Sequence, residues 1–332
     1  MNTEQKLKAT AYQFDAPVNA LAHTHDGAAY AFGLGDGHVH IIHGDARKTV
    51  KAHNGAVPVL KPYAQDQFLS LSDDGTLKLI SIDGTITDFA DFKGAWTESM
   101  DVHKNGAVAV AVGNTVHLWK SQTATPRILK PHDGQVNSVC FAADGLGLVA
   151  AHRNGVTLWT WPQFEPIPLP LLWRGAHLAV TLSADKRWVV TAMQEGALHM
   201  WNLGLKRDYQ MRGYWTKPTS LVWSPDKKWL ATSGSDTVII WPFDKMGPEG
   251  REPLQLGWSN GAFVTALAAH PNLNIMAAGF ADGAVVMLDL EGKKAFTASG
   301  ASGHGVTALA FAPDGASLIA GVANGGGVCF RL

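Results

Sequence analysis

At 332 residues, with 46% hydrophobic and only 17% charged side chains, the chain has the apolar content for a large buried core. Its formal net charge of −1 excludes a global field that would draw in nucleic-acid phosphates or an anionic lipid surface. The N-terminus has no signal-like apolar run and nowhere do about 18 apolar residues follow one another, as a bilayer span requires; the expectation is a soluble cytoplasmic protein with neither nucleic-acid nor membrane partners.

Residues 6–14 read as a lone strand. From residue 18 onward one phrase recurs: V-x-x-L, a turn, L-x-x-(A/T), a second turn, then V-x-(L/I)-W. It is clearest over 218–241, where Pro-Asp-Lys-Lys and Gly-Ser-Asp-Thr split three short apolar runs into strand, turn, strand, turn, strand. The third strand of each unit ends in turn at Ile42, Ile80, Trp119, Trp159, Trp201, Trp241, Leu288 and Phe330, at spacings of 38 to 47 residues. Asx-Gly pairs that tolerate positive φ hold the same register, among them Asp26-Gly27, Asp36-Gly37, Asp74-Gly75, Asn154-Gly155, Asp282-Gly283 and Asn324-Gly325. A fourth strand follows at 127–130, 168–172, 208–211 and 253–256, and 243–252 is a loop insertion before the last of these. The eighth unit lacks a fourth strand because the sequence stops at Leu332; residues 6–14 are therefore predicted to supply it and close the ring, removing a free sheet edge. The prediction is an all-β protein, one β-propeller domain over 1–332, with eight blades of four antiparallel strands starting near 18, 57, 99, 136, 179, 219, 264 and 306.

With S-P-D at 224–226, A-P-D-G at 312–315, A-T-S-G-S-D at 231–236 and third-strand tryptophans at 119, 159, 201 and 241, the chain resembles the WD40-repeat family along essentially its whole length. That resemblance implies a structural role for Trp119, Trp159, Trp201 and Trp241, and a His, Ser/Thr, Asp, Trp hydrogen-bonded chain inside each blade. Blade six supplies Thr232, Asp236 and Trp241, with Tyr214 where the histidine would stand; blade two supplies His53, Ser70 and Asp74, with Ile80 in place of tryptophan. The dipeptide Trp-Asp never occurs.

Enzyme motifs are absent: no H-E-x-x-H, no G-x-S-x-G and no G-x-x-x-x-G-K-S/T. Gly145-Leu-Gly-Leu-Val-Ala150 mimics a nucleotide fingerprint but falls in a hairpin, with no helix to face a pyrophosphate. Cys140 and Cys329 sit in apolar strand runs as ordinary small hydrophobes. No catalytic residue and no cofactor is expected. Five histidines crowd the first blade (His23, His25, His38, His40, His43), and strand alternation leaves a two-histidine zinc grip as the basis of an alternative reading, a metal-handling or enzymatic propeller using these histidines or the central channel.

The leading expectation is a scaffold, monomeric on its own, that binds a protein or peptide partner. Propeller geometry implied by the family puts the connections from fourth strand to next first strand on the same face as the turns between second and third strands. Trp96, Trp173, Tyr214, Trp215 and Trp258 fall in or beside the former, and His152, Arg153, Gln194 and Glu195 in the latter. Such rings either plug the gaps between blades or form the contact surface, since Trp, Tyr and Arg carry most interface energy.

Overall fold

The computed structural model describes residues 7–130, 132–160 and 167–332. Among them the regular elements are strands alone. An N-terminal strand, β1 (Lys8–Gln13), precedes the first sheet of β2 (Val18–His23), β3 (Ala29–Leu34), β4 (His38–His43) and β5 (Ala46–Lys51). The second holds β6 (Val59–Tyr63), β7 (Gln67–Leu71), β8 (Thr76–Ser81) and β9 (Ile86–Asp91). The third holds β10 (Thr97–Val102), β11 (Val108–Val112), β12 (Thr115–Trp119) and β13 (Arg127–Leu129). Next come β14 (Val136–Phe141), β15 (Gly147–Thr160), β16 (Ile167–Leu182), β17 (Trp188–Met193), β18 (Ala197–Asn202) and β19 (Arg207–Met211), hydrogen-bonded in that order into one six-stranded sheet. Two four-stranded sheets follow: β20 (Leu221–Trp223), β21 (Trp229–Thr232), β22 (Thr237–Pro242) and β23 (Leu254–Trp258), then β24 (Val264–Ala269), β25 (Ile275–Phe280), β26 (Val285–Asp289) and β27 (Lys294–Ser299). The last contains β28 (Val306–Phe311), β29 (Ser317–Val322) and β30 (Gly326–Arg331), and β1 pairs antiparallel with β30 from Lys8 opposite Arg331 to Gln13 opposite Gly326.

The architecture is an all-β propeller, with seven sheets where eight separate blades are predicted. The expected boundaries disappear between residues 147 and 182, where Arg153 pairs with Ala176 and strand pairing runs on through a predicted turn and a predicted connection. The turn chemistry at Asn154-Gly155 is nevertheless used. Asn154 has φ of 69° and Gly155 of 142°, and a Cβ on Gly147 would lie 3.3 Å from the Trp159 carbonyl oxygen, so the two halves of β15 fold back on each other. Asn and Gly reach such angles cheaply.

The first strands of the sheets line the centre and touch in succession: β2 meets β6, β6 meets β10, β10 meets β14, β14 meets β16, β16 meets β20, β20 meets β24, β24 meets β28, and β28 returns to β2. An inner strand has a ladder partner on one side only, so its remaining amides and carbonyls need others. Side chains of the neighbouring inner strand supply them. Asp101 accepts from the Phe141 amide (2.8 Å), Asn137 Nδ2 donates to the His177 carbonyl (2.8 Å), Thr265 Oγ1 donates to the Val306 carbonyl (2.6 Å), and Trp223 Nε1 donates to Thr181 Oγ1 (2.9 Å). The apolar core lies between adjacent sheets: Ala20, Ala31, Val39 and Ile41 of the first pack with Val57, Leu60, Phe68 and Ile80 of the second. Each sheet hides its faces only against its neighbours, which makes stability collective.

Candidate functional site

In one sheet after another the connection that follows the fourth strand bonds to the turn between the second and third. His53 and Ala52 donate their amides to the Gly37 carbonyl, Phe92 to Gly75, His132 to Asn114, Thr216 to Gly234, and Phe14 to Gly325. These segments therefore share one face, the connection face, and their joints are held by polar relays. His53 Nε2 lies 2.9 Å from Ser70 Oγ and its Nδ1 2.8 Å from Thr76 Oγ1. Asp74 accepts from Thr76 Oγ1 (2.7 Å) and from the Asn54 amide (2.9 Å). Burial alone would raise the Asp74 carboxyl, but the Thr76 hydroxyl and the amide donors overcome it and hold it at about 2.

Tyr214 takes over the histidine role. Its hydroxyl lies 2.7 Å from Thr232 Oγ1 and accepts a 2.7 Å hydrogen bond from Trp241 Nε1, while Thr232 donates to the Ile239 carbonyl. Burial raises the phenol well above its usual range, so it stays a neutral donor and acceptor. Asp236, expected in this relay, is half-buried and makes no side-chain hydrogen bond among the described contacts. Tyr214→Phe is expected to leave Trp241 Nε1 and Thr232 short of a partner and cost about 1–3 kcal/mol; urea unfolding measures it, and an unchanged midpoint would show that the relay contributes nothing.

Two relays escaped the sequence reading. His177 Nδ1 lies 2.8 Å from Thr191 Oγ1 and its Nε2 3.0 Å from the Trp173 carbonyl, while His132 and His152 both approach Thr157 Oγ1 at 3.1 Å. The signal was a histidine before or at the first strand together with a threonine in the middle strands, without the expected Asp.

The predicted contact residues divide into two groups. Trp215, Trp258 and Trp96 are 78%, 60% and 58% exposed, and Arg153 and Glu195 also face solvent. The others are structural in part. His152 is buried, which corrects its placement on the surface: its ring turns inward to Thr157. Tyr214 is committed to its relay, and Trp173 lies half-buried, stacked on His199 with centroids 4.0 Å apart. Beneath it His199 also meets Trp201 at 4.5 Å. Trp119, Trp159 and Trp201 are buried core rings, and Trp241 is half-buried at its relay.

The first-blade histidines do not converge. His23 is buried beside Tyr30, His38 contacts Asp36 at 2.9 Å, His40 reaches Thr49 at 2.9 Å, His25 lies in an exposed turn and His43 at the exposed end of β4. Among the described residues no three His, Cys, Asp or Glu side chains group as a metal site would need. Burial pushes the Cys140 thiol up to about 12, and Gly145 to Ala150 form a turn and the start of β15, so neither the thiol nor the nucleotide-like string offers reactive chemistry.

Beside Trp173 a groove of about 680 Å³ opens on the connection face, walled by Arg174, Met193, Glu195, Gln210, Arg212 and Tyr214. A smaller recess lined by Asn154, Leu172, Trp173 and Arg174 lies across the same ridge.

The WD domain, G-beta repeat family matches residues 207–242 and 295–329, the stretches that hold the Tyr214 relay's sheet and the closing sheet. The family model thus finds WD40 repeats in two stretches of the propeller. The chain is 26% identical over 109 residues to the Target of rapamycin complex subunit LST8 of Saccharomyces cerevisiae, an alignment covering 31% of the chain and 36% of that relative. It thus spans about a third of the length of the curated relative. Among solved structures, the computationally designed Ika8 protein superposes with a TM-score of 0.79 at 21% identity, covering 96% of this chain and 98% of that one. At that identity the likeness concerns the fold.

Proposed function

We propose that this WD40 propeller is a non-catalytic scaffold, monomeric on its own and cytoplasmic, that holds a protein or peptide partner on its connection face. The observation that carries this reading is the exposure of three tryptophans, Trp96 and Trp215 on connections of that face and Trp258 at the end of β23 beside one. Exposing large indole rings to water is unfavourable, and Trp is the residue type most enriched among those that dominate binding energy. A relative named as the subunit of a complex is in keeping with an assembly role. The catalytic alternatives lack a supporting arrangement: the histidines are dispersed and the thiol at Cys140 is held protonated.

The test replaces Trp96, Trp215 and Trp258 together with Ala. Immobilised protein is expected to lose the partner retained by the unmodified chain, with affinity down at least about tenfold and the thermal midpoint unchanged. Full retention of the partner by the folded triple variant would remove this face from consideration.

A further inference from the structure

We propose that the groove beside Trp173 binds an acidic peptide segment of a partner protein, one that carries apolar side chains between its carboxylates. This rests on the reading of that face as the docking surface and names what it takes.

The charge pattern is the first support. Arg174 and Arg212 stand exposed on the groove walls, and no ion pair among the described residues engages either; Arg212 makes only a neutral hydrogen bond to Gln210 (2.9 Å). Against these two cations stands one carboxylate, Glu195, on the groove wall. Elsewhere on the same face several acids are occupied in shaping turns: Asp36 accepts from the His38 amide, Asp74 from Asn54 and Thr76, and Asp282 from Ser259 and the Ala284 amide. The groove walls thus carry a net positive charge on a chain whose net charge is −1. Guanidinium groups pair with carboxylates through paired N–H donors.

Shape is the second. Gly175 (φ 131°) and Gly213 (φ 106°) sit on the walls in backbone conformations closed to other residues. A Cβ on Gly175 would fall 2.9 Å from a Glu195 carboxylate oxygen, so side chains there would fill the groove. Trp173 and Met193 supply an apolar floor, and Leu172 on β16 (72% exposed) and Trp215 on the connection after β19 (78% exposed) offer further apolar contacts. A strip of carboxylates alone would leave these surfaces uncovered.

The experiment uses the full chain and fluorescence anisotropy. The probe is a fluorescein-labelled twelve-residue peptide of Glu-Glu-Leu repeats, compared with its Lys-Lys-Leu counterpart and with labelled single-stranded dT12. Saturable binding of the glutamate peptide alone is expected, weakened at least about tenfold in R174E/R212E and by raised salt. Binding of the lysine peptide or dT12 as tight as that of the glutamate peptide, no saturable binding of the latter, or glutamate-peptide affinity within about twofold of the unmodified chain in R174E/R212E, overturns the proposal. Where R174E/R212E lowers the thermal midpoint, R174Q/R212Q is measured in its place, with the same criteria. Native-partner capture separates the two readings: if R174E/R212E keeps the partner that the triple tryptophan variant loses, the docking face stands and the groove assignment falls; if the triple variant keeps it too, both fall.

Discussion

Removing residues 1–14 is expected to abolish or severely lower the thermal transition, although only one of the strands is lost. Six residue pairs join β1 to β30, and without them β30 becomes an open edge of unpaired amides and carbonyls. Tyr12 and Phe14 go with it. Their rings pack on Phe32 at centroid distances of 5.5 and 5.0 Å, the Tyr12 hydroxyl lies 2.6 Å from that of Tyr30, and Arg47 sits 5.0 Å above the Tyr12 ring. Two large rings at about 1.5–3 kcal/mol each, with ladder bonds at about 0.5–1.5 kcal/mol each, amount to most of the roughly 5–15 kcal/mol that holds an ordinary domain together. Gly325 shows how tightly the junction is fitted: at φ of 86° a Cβ there would lie 2.3 Å from the Phe14 carbonyl oxygen. Differential scanning calorimetry of the truncated chain, alone and with a synthetic peptide of residues 7–16, measures the effect. Recovery of the transition on adding the peptide is expected, whereas an undiminished midpoint in the truncated chain would mean that the closing strand is dispensable.

Acid is expected to weaken the fold well before the carboxylates titrate. Burial holds His23 and His53 at about 4 and His199 at about 3, against an ordinary 6.5. His199 is buried between Trp173 and Trp201, with neither ring nitrogen in a hydrogen bond and the positive charge of a protonated His177 opposing it further; the Asp208 carboxylate 3.4 Å from Nε2 does not offset this. Above pH 6.5 these rings are neutral whether the chain is folded or not, so stability is at its full value. Below 6.5 the unfolded chain takes up protons that the folded one refuses until pH 4 or 3, so stability falls with pH throughout that window. Each refused proton costs about 1.4 kcal/mol per pH unit, and the three rings together cost on the order of 5 kcal/mol between pH 7 and pH 5. Urea midpoints at the two pH values, at equal ionic strength, report it. Equal midpoints would show that these rings are reached by water and protonate in the folded state.

The sheets were legible because turn chemistry and strand alternation repeat about every forty residues, and the closing strand because residues 6–14 had no unit of their own. The seven-sheet arrangement was not. Asn154-Gly155 correctly marked a fold-back, yet nothing in the residues showed that Arg153 would pair with Ala176 and carry the ladder across. Such a bridge depends on where two connections meet in space. The contact face was legible in part. Trp173 and Trp215 were both expected in connections, but Trp173 falls within β16, where His199 of β18 lies under it, while Trp215 projects from the loop after Tyr214 is drawn inward to Thr232 and Trp241. Residue type marks a ring as a candidate for recognition; whether a partner ring waits beneath it is decided by tertiary packing. The groove is a sum of main-chain angles at Gly175 and Gly213 with arginines distant in sequence, and no local pattern announces it.

Hydroxyl-radical footprinting of the protein with and without its captured partner tests the scaffold reading most directly, because it reports side-chain cover residue by residue on the intact chain. Trp96, Trp215 and Trp258 should be protected in the complex, while Met246 and Leu273, exposed on the opposite face, keep their free rates. Protection of Met246 and Leu273 with the three tryptophans unchanged would contradict it and move the partner to the other side of the ring.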